Sequence, residues 1–423
     1  MTTTTRRRVG IAGALVGAAS AGVAAAALAK RYAVGRIRLR PDTEANEPFG
    51  ELRGRERTHV TTDGVALHLE LDGPEERRSS GGGSESNDAN EPRSGRDHEH
   101  ERRSSGGERE SNDANEPRSG RDHEHERRSS GGGSESNDAN EPRSGRDDEH
   151  DAPLTIVFCH GYCLSLESWH YQRRELRENH RMVLWDQRSH GRSQRAGDSS
   201  IDRLGEDLAE VIERFVPGPC VLVGHSMGGM TIMALADRHP QLFGDKIRGV
   251  ALIATSAGKL AELTLGMPAL VSKAVHKVAP STVSLLGRRG ALVDRTRSVG
   301  SDIAFLITRY MGFGDSKNIS PTVVDFAESM IRATPTEVVA DFYPALMNHD
   351  KLSALHVLDP VPTAIMVGDR DWLTPPDHSR AIAAALPKAH FTEVPDTSHL
   401  IQLERPGVVN DALRDLIKRV ELQ

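Results

Sequence analysis

Short apolar runs and helical stretches succeed one another along most of the chain. The runs at residues 154–159, 221–223 and 363–367 are almost wholly apolar, as the buried strands of a parallel sheet are, and a further strand is predicted at residues 247–253. Further strands are predicted at residues 65–71, 182–185 and 390–394. Helical spacing of apolar positions predicts helices at residues 230–236, 259–278, 301–312, 321–332 and 335–347. The last four helices lie in one long segment between the strands predicted at residues 247–253 and 363–367.

A serine lies between one of these strands and a helix. Gly224-His225-Ser226-Met227-Gly228-Gly229 directly follows the run 221–223. A residue on so sharp a turn has a strained backbone, and glycine at positions 224 and 228 avoids a collision with a Cβ. The N–H of Met227 then points back at the serine and can stabilise an oxyanion. Because Gly-x-Ser-x-Gly also arises by chance, a glycine-rich helix start is the alternative interpretation.

The rest of the chain offers the groups that an acyl-transfer serine requires. These are a base, a carboxylate that orients the base, and a second oxyanion donor from another loop. Strand 154–159 ends in His160-Gly161-Tyr162, which offers the Tyr162 N–H. Strand 363–367 leads to Asp369 and Asp371, and strand 390–394 leads to His399. The order serine, acid, histidine is that of an α/β hydrolase.

These motifs together resemble the α/β-hydrolase fold family, close to its esterase, haloperoxidase-like and lysophospholipase-like members. The resemblance covers residues 48–74 and 153–423 and includes Asp186–Ser193, Gly368–Pro375 and His399–Pro406. It implies a mostly parallel central sheet, helices on both faces and a helical cap. Ser189 and Ser398 depart from it, since the family usually has glycine at both positions.

The resemblance also implies roles for the candidate residues. The family usually places the acid three residues after the glycine, which favours Asp371 over the alternative Asp369. His399 would remove the Ser226 proton while the carboxylate orients the imidazole. The activity implied is hydrolysis of a carboxylic ester or thioester through an acyl-enzyme intermediate. The substrate is expected to be a small molecule, and neither a cofactor nor a metal is expected. Cofactor-free perhydrolysis or acyl transfer on the same residues, and a catalytically silent binding module, are the alternatives.

Substrate identity in this fold depends on the cap, here residues 259–350. Its apolar content predicts a small to medium apolar acyl chain or alcohol. The pocket residues expected are Trp169, Leu265, Met267, Phe305 and Met311. For Trp169, packing near the cleft is favoured over direct substrate contact, and His160, His190 and His225 are expected to have structural roles.

Two regions differ in composition from the rest. Residues 75–152 contain a 25-residue unit that recurs from Ser79, Ser104 and Ser129 and lacks large apolar side chains, which predicts a disordered insert. The His-Glu-His triplets within it predict only weak, adventitious metal binding. Near the N-terminus, Arg6–Arg8 precede an uncharged stretch at residues 9–29, long enough to cross a bilayer at ~1.5 Å per residue. Residues 1–40 are therefore interpreted as a single membrane anchor of undecided orientation, or as an export signal of twin-arginine type.

Charge and cysteine content narrow the remaining choices. A net charge of -7 gives no electrostatic reason to expect nucleic acid as a partner. The three cysteines form no disulfide framework, and Cys159 and Cys220 are expected to be buried thiols. Without leader and insert, about 300 residues remain, enough for one catalytic unit. Its core is expected to comprise residues 48–74, 153–258 and 351–423, and its oligomeric state is left open.

Overall fold

A computed structural model describes residues 34–74, 153–262 and 301–423, without the side chains of residues 301–303. Its centre is an eight-stranded sheet in the order β1-β2-β4-β3-β5-β6-β7-β8. The strands are β1 (Arg55–Val60), β2 (Ala66–Asp72), β3 (Thr155–Cys159), β4 (Arg181–Trp185), β5 (Cys220–His225), β6 (Ile247–Ile253), β7 (Thr363–Gly368) and β8 (His390–Val394). The pairs β1–β2 and β2–β4 are antiparallel, and the others are parallel. The mostly parallel sheet is thus confirmed.

Helices cover both faces of the sheet. In chain order, the helices of the core and the cap are α1 (His170–Leu176), α2 (Ile201–Phe215), α3 (Met227–Arg238), α4 (Ser301–Gly312), α5 (Pro321–Ala333), α6 (Thr336–Met347), α7 (Pro376–Ala385), α8 (Ile401–Glu404) and α9 (Pro406–Glu421). One buried cluster joins Leu222 of the sheet to Leu208 of α2 and Ile232 of α3. A second joins Val223, on the opposite face, to Leu413 of α9. Alternate residues of β5 thus pack into two different hydrophobic clusters, because successive side chains of a strand point to opposite faces of the sheet.

Helices α4–α6, between β6 and β7, form the cap. The helices predicted at residues 301–312, 321–332 and 335–347 are confirmed. Of the helix predicted at residues 259–278, the described part contains only a short 3₁₀ turn at Leu260–Glu262. Residues 263–300 lie outside the described residues.

Residues 34–54, which we call the N-terminal segment, pack against the cap and the core. Arg38 pairs with Asp325 of α5 at 2.7 Å and lies over the Phe305 ring at 5.0 Å. The Asp42 carboxylate accepts hydrogen bonds from the Ser320 hydroxyl at 2.6 Å and from the Thr322 N–H at 3.1 Å, at the start of α5. Part of the region interpreted as a leader, residues 34–40, therefore contacts the cap.

The remaining predictions for the two unusual regions lie outside the described residues. These are the candidate membrane span at residues 9–29 and the repeat insert at residues 75–152. In the described ranges, none of the helices has the length and apolar character needed to cross a bilayer. The membrane anchor therefore stays a prediction from sequence.

Candidate active site

The carboxyl ends of the parallel strands meet at one edge of the sheet. Cys159 of β3 pairs with Gly224 of β5, and His225 pairs with Ile253 of β6. Further along the sheet, Gly368 of β7 pairs with Val394 of β8. The loops that carry the candidate serine, acid and histidine each follow one of these strand ends. They therefore leave the sheet at the same edge.

Ser226 occupies a strained turn between β5 and α3. Its backbone has φ 52° and ψ −116°, a combination that costs about 1–3 kcal/mol for a residue with a side chain. A Cβ on Gly228 would lie 2.0 Å from the Cys159 carbonyl oxygen, and one on Gly224 would lie 2.6 Å from the Gly228 carbonyl oxygen. The requirement for glycine at both positions, predicted from sequence, follows from these contacts.

His399 and Asp371 are hydrogen-bonded to each other. The His399 Nδ1–H donates to Asp371 Oδ2 over 2.8 Å, and both residues are buried. Asp371 also accepts hydrogen bonds from the N–H groups of Leu373 at 2.8 Å and Thr374 at 2.9 Å. With the proton on Nδ1, Nε2 of His399 is free to accept one. This is the tautomer that a general base requires.

Asp369 has a different partner. Its carboxylate accepts from the Thr397 N–H at 3.2 Å, while its own N–H donates to the Val394 carbonyl. Asp369 thus links the loop after β7 to the loop after β8, which carries His399. It supports the position of the histidine loop and does not contact the imidazole through any hydrogen bond found in the described residues.

Electrostatics keep the Asp371 carboxylate ionised. Burial alone would raise its pKa, but the His399 imidazole and the hydrogen bonds from Thr374 outweigh burial, so the pKa of Asp371 lies below its ordinary value. An ionised carboxylate at this position stabilises an imidazolium, which is the state that His399 would reach after taking a proton.

The loop after β3, residues 160–164, forms a tight turn beside Ser226; we call it the oxyanion loop. The Leu164 N–H donates to the Gly161 carbonyl at 3.1 Å, with Tyr162 and Cys163 between them. In the described residues, neither the Tyr162 N–H nor the Met227 N–H has a hydrogen-bond acceptor. Both predicted oxyanion donors thus lack an acceptor there. Met227 follows Ser226 in sequence, and Tyr162 follows Gly161, where an added Cβ would lie 3.3 Å from the Cβ of Ser226.

Three buried histidines surround this site without belonging to the histidine–carboxylate pair. His225 Nε2–H donates to the His399 carbonyl at 2.9 Å, and His160 Nε2 accepts from the Gln187 N–H at 2.9 Å. Burial lowers the pKa of His225 and of His160 to about 3, and that of His190 to about 4. All three are neutral at physiological pH, as their predicted structural roles require.

Ser226 and His399 line one cavity of about 370 Å³. This volume falls within the range typical of small-molecule sites. Most of the wall is apolar, with side chains from the cap and the core: Leu164, Met230, Leu260, Ile307, Met311, Ile331, Leu346, Met347, Leu373 and Leu400. The polar lining groups are hydroxyls and imidazoles, and no charged side chain of the described residues lines the cavity.

The cavity agrees with only part of the predicted pocket. Met311 lines it, whereas Leu265 and Met267 lie outside the described residues. Trp169 does not line it, which corrects the pocket assignment: the indole is fully buried in the core, with its ring 5.1 Å from that of Phe158. Phe305 is a second correction, because it is fully buried on the side of α4 that faces Arg38 of the N-terminal segment.

Helical geometry explains the error at Phe305. Successive residues of a helix are rotated by about 100°, so residues three or four apart share a face. Ile307 and Met311 are four apart and both line the cavity, whereas Phe305 and Met311 are six apart. Spacing from Met311 would have found Ile307 and would have excluded Phe305.

One group of possible metal ligands occurs in the described ranges, but it is poorly suited to a metal. Ligand atoms of Glu56, His68 and Glu70 lie within 4.8 Å of one another. The Glu70 carboxylate is already bound by Arg173 at 2.5 Å and by Arg192. These guanidinium groups neutralise the carboxylate and would repel a cation. We interpret the cluster as a charge network that supports β1 and β2.

Comparison with known proteins identifies the family. The family model described as the alpha/beta hydrolase fold matches residues 155–406. This chain belongs to the alpha/beta hydrolase fold family. Over 273 residues it is 25% identical to an sn-1-specific diacylglycerol lipase of Mus musculus, covering 63% of this chain and 82% of the relative. A non-heme haloperoxidase of Rhodococcus erythropolis is 27% identical over 270 residues, 62% of this chain and 92% of the relative.

A solved structure gives the same result for this alpha/beta hydrolase. A thermophilic esterase from Thermogutta terrifontis superposes with a TM-score of 0.50 at 26% identity, covering 64% of this chain and 92% of that chain. Esterases, lipases and haloperoxidases thus share its fold, and the protein is a hydrolase enzyme of this family.

Proposed function

We propose that this alpha/beta hydrolase is a serine esterase that cleaves neutral, apolar carboxylic esters, with Ser226 as nucleophile, His399 as general base and Asp371 as the acid that orients it. The observation that carries the proposal is the 2.8 Å hydrogen bond between His399 and Asp371 beside a cavity that His399 shares with Ser226. A strained serine, an oriented imidazole and an ionised carboxylate at one sheet edge are the parts of an acyl-transfer site.

The mechanism follows from these parts. His399 Nε2 takes the Ser226 hydroxyl proton as the oxygen attacks the ester carbonyl, and the Asp371 carboxylate stabilises the imidazolium. The carbonyl oxygen becomes an oxyanion and accepts hydrogen bonds from the Tyr162 and Met227 N–H groups, each worth about 3–4 kcal/mol in the transition state. The imidazolium then protonates the departing alcohol. Water, activated by the same imidazole, hydrolyses the acyl-enzyme.

The cavity wall supports a neutral substrate. A charged acyl chain would be transferred from water into an apolar wall without a counter-charge from the described residues, at a cost of several kcal/mol. A neutral alkyl chain instead gains about 0.8 kcal/mol for each buried methylene. The names of two relatives, a diacylglycerol lipase and a pimeloyl-[acyl-carrier protein] methyl ester esterase, are consistent with ester substrates.

A fluorophosphonate probe tests the nucleophile. Because the probe reacts covalently with activated serines, it should label the wild-type protein and should fail to label Ser226→Ala. Circular dichroism of both proteins serves as the folding control. A folded wild-type protein that remains unlabelled would show that Ser226 is not activated, and labelling of Ser226→Ala would place the nucleophile elsewhere.

A panel of p-nitrophenyl esters tests the substrate class. We expect kcat/KM to rise from acetate to hexanoate and to fall sharply for the adipate monoester, which has the hexanoate chain length with a terminal carboxylate. Equal rates for hexanoate and adipate monoester would reject the neutral pocket. A preference for acetate alone would reject the apolar acyl chain.

Perhydrolysis is the second candidate, favoured by the haloperoxidase relative. In that reaction peroxide replaces water at the acyl-enzyme. Adding hydrogen peroxide to an ester assay and measuring peracid distinguishes the two, because an esterase of the proposed kind should release mainly carboxylic acid.

A further inference from the structure

Tyr162 connects the oxyanion loop to the cap. Its backbone belongs to the core loop after β3, yet its phenol hydroxyl donates to the Val339 carbonyl of α6. The ring centroid lies 6.4 Å from that of Phe342 on α6 and 6.0 Å from that of His190 in the core. One side chain therefore spans the interface at the level of the cavity, whose wall it forms in part.

The turn that carries Tyr162 is strained. Cys163 has φ 60°, in the left-handed region that disfavours residues with a Cβ. Such conformations cost about 1–3 kcal/mol and persist where neighbouring contacts hold them. On the core side, the Gly161 carbonyl accepts from the Leu164 N–H at 3.1 Å and from His160 Nδ1 at 2.8 Å. On the cap side, the Tyr162 phenol donates to the Val339 carbonyl, and Leu164 belongs to a buried cluster that includes Phe305 and Val324 of the cap.

We propose that Tyr162 is a positioning residue as well as an oxyanion donor: its phenol, held by the Val339 carbonyl, fixes the turn that presents the Tyr162 N–H to the oxyanion. The inference rests on the proposed serine esterase function and adds a regulatory consequence. A displacement of α6 would move the phenol and, with it, the Tyr162 N–H. The position of the cap would therefore control how well the transition state is stabilised, as well as access to the cavity.

A positioning role and a packing role predict different measurements. The oxyanion develops only in the transition state, so a misplaced donor lowers kcat and leaves KM nearly unchanged. A side chain that only packs would change the melting temperature, or would change KM through the shape of the cavity. The ratio of the two kinetic effects therefore separates the roles.

The central variant is Tyr162→Phe, which keeps the ring and removes the hydroxyl. We expect kcat for p-nitrophenyl butyrate to fall about tenfold, less than the 10²–10³ typical of losing a donor outright. KM should remain within a factor of about two, as a transition-state effect requires. Tyr310→Phe is the matched control, because Tyr310 also lies on a cap helix but its side chain is largely exposed. It should retain the wild-type kcat.

A double-mutant cycle tests the connection to the cap. Val338 is buried on α6 next to the accepting carbonyl, so Val338→Ala should loosen that part of the helix and lower kcat on its own. In the Tyr162→Phe background it should have little further effect on kcat, because residues that act through one contact are not additive. If Tyr162→Phe fails to fold, the kcat and KM of Val338→Ala alone decide the question.

Three results would overturn the inference: a wild-type kcat for Tyr162→Phe, a loss confined to KM, or additive effects in the cycle. Each can be told apart from failure of the proposed function. Wild-type protein that reacts with the fluorophosphonate probe, while Ser226→Ala does not, preserves the serine mechanism whatever Tyr162 does.

Discussion

The catalytic edge of the sheet and the N-terminal segment are held in place by different forces. At the edge, the groups are buried: His225 and His160 are neutral with backbone partners, and the ionised Asp371 carboxylate is hydrogen-bonded to His399. The N-terminal segment instead depends on charged side chains that are partly exposed, such as Arg38 and Asp42. We therefore expect a substitution that adds an unpaired charge or an extra atom at the edge to have a large effect. Substitutions in the N-terminal segment should each lower the free energy of unfolding by a small, independent amount.

The sharpest test at the edge exchanges one carboxylate for an amide. Asp371→Asn should reduce kcat by about 10⁴, because an amide hydrogen-bonded to the imidazole favours the wrong tautomer. Asp369→Asn is the matched control, since Asp369 contacts the Thr397 N–H and should cost far less. Steady-state kinetics on one ester would measure both, and a larger loss in Asp369→Asn would exchange the two assignments.

Acid should destabilise the protein in part through the edge. The pKa of His190 falls from 6.5 to about 4 on folding because the ring is buried. Between these values the unfolded chain binds a proton that the folded protein does not, so stability falls as pH falls. Each such histidine contributes up to ~1.4 kcal/mol per pH unit. His190→Phe should therefore flatten the decline of the melting temperature between pH 6.5 and pH 4.

The control for this experiment is His390→Gln, whose side chain is 64% exposed. It should retain the wild-type dependence of melting temperature on pH. An unchanged slope in His190→Phe would mean that His190 has the same pKa in the folded and unfolded states, and burial would then not distinguish the edge from the N-terminal segment.

The smallest expected effects lie in the N-terminal segment. Asp42→Ala removes acceptors for the Ser320 hydroxyl and the Thr322 N–H at the start of α5, and should lower the free energy of unfolding by about 1 kcal/mol. Asp325→Asn breaks only the half-exposed pair with Arg38 and should cost about 0.5 kcal/mol or less. Urea unfolding would measure both. An equal loss of unfolding free energy in the two variants would indicate that the N-terminal segment detaches as one unit.

Local chemistry explains which parts could be predicted from sequence. The Ser226 turn is specified by its own glycines, and the strands around it by continuous apolar runs, so both were predictable. The β1 strand was not singled out, because its sequence, RERTHV, is polar and mostly exposed at the sheet edge. The contacts of Asp42 were equally hidden, since they join residues 278 positions apart. The pocket assignment failed at Phe305, where a face of α4 had to be chosen without knowing what covered it, and at Trp169, whose indole is buried in the core.

The register of the sheet also indicates where residues 75–152 could be replaced in protein engineering. Asp72, at the end of β2, and Thr155, at the start of β3, pair with the adjacent residues Met182 and Arg181 of β4. The chain therefore leaves the described fold after residue 74 and returns at residue 153 through the amino ends of the parallel strands, opposite the edge that carries Ser226. Two strand spacings amount to ~10 Å, a gap that a few extended residues bridge. A reporter or an affinity handle exchanged for residues 75–152 would be attached at the end of the sheet remote from the chemistry.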